Sequence, residues 1–557
     1  MKTIWLYLLL LLPFSTKAVS PPPVTAKHAM VVTDQALASQ AGLAILKAGG
    51  NAVDAAVAVG YALAVVNPCC GNIGGGGFML IRYPNDKAVF LNFRERAPLA
   101  ATPTLFSTHP DAEKLSPYLS VAVPGTVLGL DTALSHYGTM TRQQVMAPAI
   151  KLAEQGFILR PGDDKYLTQF TDDFRQQPNV AAIFLKPDLT PWQVGDRLIQ
   201  KDLAATLKQI AQQGPRVFYR GDIAHRIVKA SETQGGILTL NDFKHYYVEE
   251  RKPITCHYRG YAILSSPPPS SGGTTLCEIL NILEHYPLST DGFHTATTIH
   301  HMIEAMRFSF YDRNNKLGDP DFVSNPIAHL LSKKYAAAIY RRIKENHRTP
   351  ASEFGTITRS HEKQNTTHYS IIDKEGNAVA VTYTINGAFG AKVIAGNTGF
   401  FLNNQMDDFS KTPGIADPNG LVQSDKNNIQ SGKRPLSSMA PTIITRDHQL
   451  FMVTGSPGGP RIITITLQTI LNVIDFGMTI QEAVDAPRFH HQFTPDAVDV
   501  EPFVFSTDTK DKLSKMGYQF TPVNPWGAAE AIYVDPQTRQ LKGGCDHRRP
   551  AGEAVGY

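Results

Sequence analysis

Thr366 stands at the entry to a strand, directly after a polar stretch, and is the first residue of this chain whose position suggests chemistry. His368 to Ile372 and Ala378 to Thr384 are strands by composition, and Asp373-Lys374-Glu375-Gly376-Asn377 between them is a hairpin turn. A three-residue loop with Gly376 in the left-handed conformation pairs Asp373 with Asn377 and sets Thr366 opposite Thr384. A two-residue loop shifts that register by one. In the first register two threonine hydroxyls meet at the strand ends. A hydroxyl is a poor nucleophile unless a base takes its proton. No histidine and acidic partner stand at a spacing that makes a serine-type triad. A threonine at a chain terminus carries its own base, an α-amine with a pKa of about 8. An internal threonine gains that amine only when the preceding peptide bond is cut. Glu345 to Asn365 is polar, with Phe354 and Ile357 its only large apolar residues, and reads as an exposed or mobile strap that would let new ends separate. Taken alone, a Thr-Thr pair entering a strand is also an ordinary pair of β-formers.

A developing negative charge needs donors, and one turn offers them. Leu450 to Thr454 is a strand, Gly455-Ser456-Pro457-Gly458-Gly459 turns the chain, and Pro460 to Phe476 is helical, with Pro460 suited to a first turn. Glycines at a helix N-terminus let backbone N–H groups approach an oxyanion, and the helix dipole has the right sign. Ser456 is not a nucleophile elbow, because Thr454 stands where the first glycine of G-x-S-x-G is required. The run Gly71-Asn72-Ile73-Gly74-Gly75-Gly76-Gly77 lacks the Lys-Ser/Thr ending of a phosphate loop and precedes a strand, Phe78 to Arg82. It therefore reads as close backbone packing. Pro267-Pro268-Pro269-Ser270-Ser271-Gly272-Gly273 is a rigid loop.

These residues need a scaffold. Thr33 or Asp34 caps a helix that runs to Lys47 and stops at Gly49-Gly50. Asn51 caps a second, Ala52 to Val66, which is apolar nearly all round with Asp54 its only charge, and so reads as a buried core helix. The 557 residues, 42% hydrophobic and 18% charged, suit a globular enzyme with a sizeable core. A net charge of +4 gives no reason to expect nucleic acid or an anionic membrane as partner. Lys2, the apolar run Ile4 to Phe14 and the small residues around Ala18 read as a cleaved signal peptide over 1–18. The five cysteines, Cys69, Cys70, Cys256, Cys277 and Cys545, fit no redox or zinc spacing and read as structural thiols, with any disulfide unassigned.

Thr366-Thr367-His368-Tyr369-Ser370 resembles the start of the small subunit of γ-glutamyltranspeptidases, in the N-terminal nucleophile hydrolase superfamily. The likeness runs along nearly the whole mature chain. It includes Gly49-Gly50-Asn51-Ala52-Val53-Asp54-Ala55-Ala56, the four-glycine stretch, Phe93-Arg94-Glu95, the Pro-Pro-Pro-Ser-Ser-Gly-Gly loop and the terminal Gly556-Tyr557. The resemblance implies an α+β fold, a four-layer αββα sandwich. It implies cleavage between Asn365 and Thr366 into a large subunit, 19–365, and a small subunit, 366–557, intertwined in one fold.

The same resemblance implies that Thr366 attacks a γ-glutamyl amide, such as glutathione, and passes the acyl group to water or to an amino acid or dipeptide acceptor. Thr384 matches the threonine that positions the nucleophile, and Gly458 and Gly459 match the oxyanion residues. A γ-glutamyl head group carries a carboxylate and an ammonium. Arg94 matches the carboxylate grip, for which bidentate geometry is the physical reason, helped by Ser437 and Ser438. Asp408 matches the ammonium acceptor, helped by Asn386 and Gln405. Seen singly, Arg94 beside Glu95 is also readable as a surface ion pair. Lys411 to Gly432 resembles a lid loop, with Asn419 where some bacterial relatives carry an aromatic gate. No cofactor or metal is implied, His490-His491 reads as structural, and the location implied is periplasmic or secreted. Two rivals stand beside this reading: an acylase for glutaryl side chains, which lack the ammonium, and a binding protein that never matures.

Overall fold

The computed structural model describes residues 20–108, 116–355, 358–359, 365–413 and 422–557. The signal-peptide segment, Asn419 and residues 356, 357 and 360–364 of the strap lie outside the described residues. Two seven-stranded antiparallel sheets form the centre. The first runs in the order Glu553–Gly556, Met30–Thr33, Thr367–Ile372, Ala378–Thr384, Gly76–Arg82, Ala88–Phe93, Glu249–Arg251. Strands from before and after Thr366 are therefore interleaved within one sheet. The second runs Val24–Ala26, Leu541–Cys545, Glu530–Val534, Gln449–Thr454, Thr442–Arg446, Tyr261–Ser265, Ile254–Tyr258.

Side-chain alternation along the strands builds three apolar layers from these two sheets. Val32, Phe78, Leu80 and Ala380 of the first sheet meet Ile443, Val453 and Ile532 of the second between the sheets. The opposite face of the first sheet, with Val31, Met79, Tyr369, Ile371, Val381 and Tyr383, packs on the helices Ala36–Lys47 and Ala52–Val66. The outer face of the second, with Ile263, Ile444 and Met452, packs on Gly272–Leu283, Ala296–Lys316 and Arg461–Ile474. Helix, sheet, sheet, helix is the αββα order that the resemblance implies.

The core helix forms where the sequence places it, Ala52–Val66, with every residue buried. Asn51 and Asp54 close a reciprocal capping box at its start. It is also tied to the hairpin that follows Thr366. Asp373 in the hairpin turn accepts from Ala52 N at 2.8 Å. The Tyr369 and Tyr383 hydroxyls donate to the Ala56 and Gly60 carbonyls at 3.0 and 2.9 Å. The preceding helix is capped differently from the expectation. Gln35 is the cap and accepts from Leu37 N, because Thr33 is bonded to Gln35 and Ser39 while Asp34 is drawn to Arg549 and Thr367. The cysteines also need a correction. Cys256 on the strand Ile254–Tyr258 and Cys277 on the helix Gly272–Leu283 form a disulfide, while Cys69, Cys70 and Cys545 are free thiols.

Candidate active site

The hairpin takes the three-residue loop. Asp373 N donates to Asn377 O, Gly376 has φ +83°, and the register Thr367 with Tyr383 continues outward to Thr366 with Thr384. Thr366 Oγ1 donates to the carbonyl oxygen of Asn365 at 2.7 Å, and Thr384 Oγ1 donates to the same oxygen at 2.8 Å. The two hydroxyl oxygens lie 3.3 Å apart. Asn386 N–H donates to Thr384 Oγ1 at 2.8 Å, so that oxygen accepts from one side and sends its own proton to the carbonyl. The glycine run explains how the chain comes so close. A Cβ on Gly75 would stand 2.0 Å from the Thr384 carbonyl oxygen, so no side chain fits there.

His368 is the histidine nearest in sequence, and it is no base for Thr366. Its ring nitrogens are engaged by Thr382 Oγ1 at 2.8 Å and Ser370 Oγ at 3.1 Å, and burial pushes its pKa down to about 3. Ser456 is equally committed: its hydroxyl is buried, donates to Pro457 O and accepts from Ala528 N. Beyond the strand Gln449–Thr454, Gly458 and Gly459 adopt φ +140° and +58° and deliver the chain to the helix Arg461–Ile474, for which Pro460 is the cap. The turn thus presents backbone at a helix N-terminus, where the dipole favours an anion.

Arg94, Thr366, Thr384, Asn386, Gln405, Asp408, Ser437, Ser438 and Gly459 all line one small cavity, with Met439 and Ile462. Gly458 does not join them: it lines a larger adjoining cavity together with Asn365. Arg94 and Asp408 are bonded to each other, Nη2 to Oδ2 at 2.7 Å, rather than standing apart as separate cation and anion. Gln405 Nε2 donates to the same Asp408 oxygen, and Asn386 Nδ2 donates to Asn404 O. The surface reading of Arg94 and Glu95 fails, since Arg94 is 1% exposed and Glu95 fully buried. Burial lifts the Glu95 carboxyl to about 7, against the pull of the adjacent Arg94 guanidinium.

Several supports carry no recognisable sequence signal. Arg434 donates to the Arg94 carbonyl and to Tyr247 O, locking the strand end that bears Arg94. Arg313, deep in the helix Ala296–Lys316, bonds Ser438 Oγ at 2.8 Å and Ser271 Oγ at 2.9 Å. The loop Pro267–Gly273 is the bed for the two serines: Ser271 N donates to Ser437 O, and Ser437 N to Pro269 O. His490 is bonded to Thr464 and Gln492, and His491 to Asp496.

Residues 38–556 match the family model described as Gamma-glutamyltranspeptidase. The chain belongs to the γ-glutamyltranspeptidase family. Among its γ-glutamyltranspeptidase-family relatives, the "Glutathione hydrolase proenzyme" of Pseudomonas sp. (strain A14) is 49% identical, covering 98% of this chain and 97% of that protein. The crystal structure of cephalosporin acylase from Bacillus halodurans superposes with a TM-score of 0.85 at 31% identity, covering 98% and 99% of the two chains. That of Helicobacter pylori gamma-glutamyltranspeptidase gives 0.56 at 44% identity, covering 57% of this chain and 93% of the other. Both neighbours have the fold of N-terminal nucleophile hydrolases, and the two sheets between helical layers found here have that architecture.

Proposed function

We propose that the chain is an exported proenzyme that cuts itself between Asn365 and Thr366, and then hydrolyses and transfers γ-glutamyl groups. One observation carries the first step: the carbonyl that must be attacked receives the hydroxyls of both Thr366 and Thr384. Thr366 Oγ1 turns from the oxygen to the carbon of that carbonyl, an Oγ–C bond forms, and the C–N bond breaks. The hydroxyl proton passes to the departing Thr366 nitrogen. The Thr384 hydroxyl steadies the oxyanion, and water then frees the Asn365 carboxylate. The result is a large subunit ending at Asn365 and a small one beginning at Thr366.

The liberated α-amine, with a pKa of about 8, next serves as base for the same hydroxyl. The names of the relatives support glutathione as substrate, and the cavity chemistry supports a zwitterionic head group. An incoming carboxylate finds Arg94, Ser437 and Ser438, and an incoming ammonium finds Asp408, Gln405 and Asn386. Gly458 and Gly459 supply backbone donors to the oxyanion, so that Thr366 carries a γ-glutamyl ester until water or an amino acid or dipeptide acceptor takes it. Every step uses the chain's own groups and calls for no cofactor or metal. The charged, apolar N-terminus supports export to the periplasm or beyond; among the described residues no helix is long and apolar enough to cross a membrane.

The likeness to a cephalosporin acylase favours a second reading, a glutaryl amide as substrate. Asp408 argues against it, because a glutaryl group has no ammonium to offer it. Parallel kinetics with γ-glutamyl and glutaryl anilides decide between them. A preference of about a hundredfold or more for γ-glutamyl supports the first reading, and equal rates or the reverse order would reject it.

A further inference from the structure

Cys69 and Cys70 are adjacent free thiols just past the core helix Ala52–Val66, and nothing in the proposed chemistry uses them. Cys69 lines the larger cavity, of about 730 Å³, together with Asn365, Gly458, Asn67, Asp34 and Arg549. It is 5% exposed, and Cys70 is fully buried. We propose that Cys69 is a covalent modification site, which takes a small organic disulfide from this cavity by thiol–disulfide exchange and thereby slows the enzyme.

The cavity is wide enough for a small molecule, and an exported chain meets an oxidising compartment, where disulfides persist. Cys256 and Cys277 are already joined, and of the three described free thiols Cys69 is the one that lines this cavity. A cation stands beside the pair. Arg549 Nη1 lies 4.0 Å from Cys70 Sγ while pairing with Asp34 at 2.6 Å. Burial works against ionising Cys70, but its bond with Cys69 and the Arg549 guanidinium outweigh that and hold its pKa below the ordinary thiol value. Burial, and then Cys70, push the Cys69 thiol up. The pair therefore shares one charge, seated on Cys70. In the exchange Cys69 Sγ passes its proton to Cys70 and attacks one sulfur of the disulfide. A new S–S bond forms and the old one breaks. The second sulfur leaves as a thiolate and takes the proton from Cys70, so that Cys69 is oxidised and the departing half is reduced to a thiol.

A chain of hydrogen bonds joins this thiol to the threonines. Cys69 Sγ donates to Asn67 Oδ1 at 3.1 Å, and Asn67 Nδ2 donates to the two Asp34 oxygens at 3.2 and 3.3 Å. Thr367 Oγ1 donates to Asp34 Oδ1 at 2.8 Å, and Thr367 directly follows the proposed nucleophile. Capping Cys69 removes the first donor of this chain and adds a foreign group to the cavity that Gly458 and Asn365 line.

The test treats self-cleaved wild type, Cys69→Ser and Cys70→Ser under native conditions with hydroxyethyl disulfide, a small neutral disulfide. Peptide masses locate the adduct, and γ-glutamyl anilide release gives the rate. Cys69→Ala runs beside Cys69→Ser as a replacement that adds no hydroxyl to a buried position. The expected result in wild type is one hydroxyethylthio adduct, on Cys69, with anilide release lowered about fivefold or more and restored by dithiothreitol. The Cys69 variants should keep their rate through the same treatment, and Cys70→Ser should form the adduct about tenfold more slowly. Cys545 is half-buried, and burial and Glu530 push its thiol well up, so it should stay free. No adduct on Cys69, an adduct there that leaves the rate unchanged, or inactivation that persists in the Cys69 variants would overturn the proposal. An untreated wild type that releases no anilide would instead reject the γ-glutamyl reading, and the position of the adduct would then decide the site alone.

Discussion

Thr384 Oγ1 donates to the Asn365 carbonyl oxygen at 2.8 Å while accepting from Asn386 N at the same distance. In the proposed self-cleavage its proton is thereby aimed at the bond to be cut, which makes the hydroxyl a preformed oxyanion donor for that step. Thr384→Ala should slow maturation by about a hundredfold or more, the usual cost of one such donor, while Thr384→Ser should keep most of the rate. Densitometry of precursor against fragments over time reads both. Equal rates for Ala and Ser would show that the hydroxyl contributes nothing.

The Arg94–Asp408 pair predicts how the head-group cavity responds to damage. Asp408→Asn removes the nearer of the two carboxylates paired with the buried Arg94, leaving Glu95 at 3.5 Å, and removes the proposed ammonium acceptor. Donor KM should rise by about a hundredfold or more, the scale of a charged hydrogen bond lost in a buried site. Self-cleavage should persist, because Asp408 does not touch Asn365 or Thr366 among the bonds described. Initial-rate kinetics on the matured variant check the first claim and gel analysis the second.

Two pH effects follow from the titrating groups. Activity should be lost as pH falls through about 8, since a protonated Thr366 amine accepts no proton, and no second acid limb should come from His368, whose pKa of about 3 keeps it neutral. Glu95 works on stability. Its folded pKa of about 7 lies above its unfolded value, so its contribution is full below the unfolded pKa and is lost as pH rises toward 7. Glu95→Gln should flatten that fall by up to about 3 kcal/mol in denaturant melts at pH 5 and pH 8. An unchanged pH dependence would remove Glu95 as its source.

The disulfide gives a fourth expectation. Cys256 and Cys277 are 21 residues apart, and closing such a loop stabilises by about 3 kcal/mol in the chain-entropy account. Melting with and without reductant should show a lower Tm on reduction, and Cys277→Ala should abolish the reductant effect. A Tm indifferent to reductant would mean that the bridge contributes little.

The sequence was most informative where local rules dominate. The hairpin register at Thr366 and Thr384 follows from turn chemistry and period-two pairing, and the Asn51 cap and buried helix follow from capping and uniform apolarity. Long-range polar geometry was far less legible. Arg94 and Asp408 are 314 positions apart, and nothing local says that they touch; Arg313 and Arg434 look like any helix or loop cations. The Gln35 cap was missed because Asp34, the better capping residue, is claimed by Arg549 from the far end of the chain. Cysteine pairing was left unassigned for the same reason: spacing carries no information on which helix packs beside which strand.

The most direct test of the central claim is the intact mass of the purified fragments with N-terminal sequencing of the smaller one. The account predicts a small fragment that begins at Thr366 and runs to Tyr557, and a Thr366→Ala chain that stays whole. A folded wild-type chain that stays uncut, or a fragment that begins anywhere else, would contradict it.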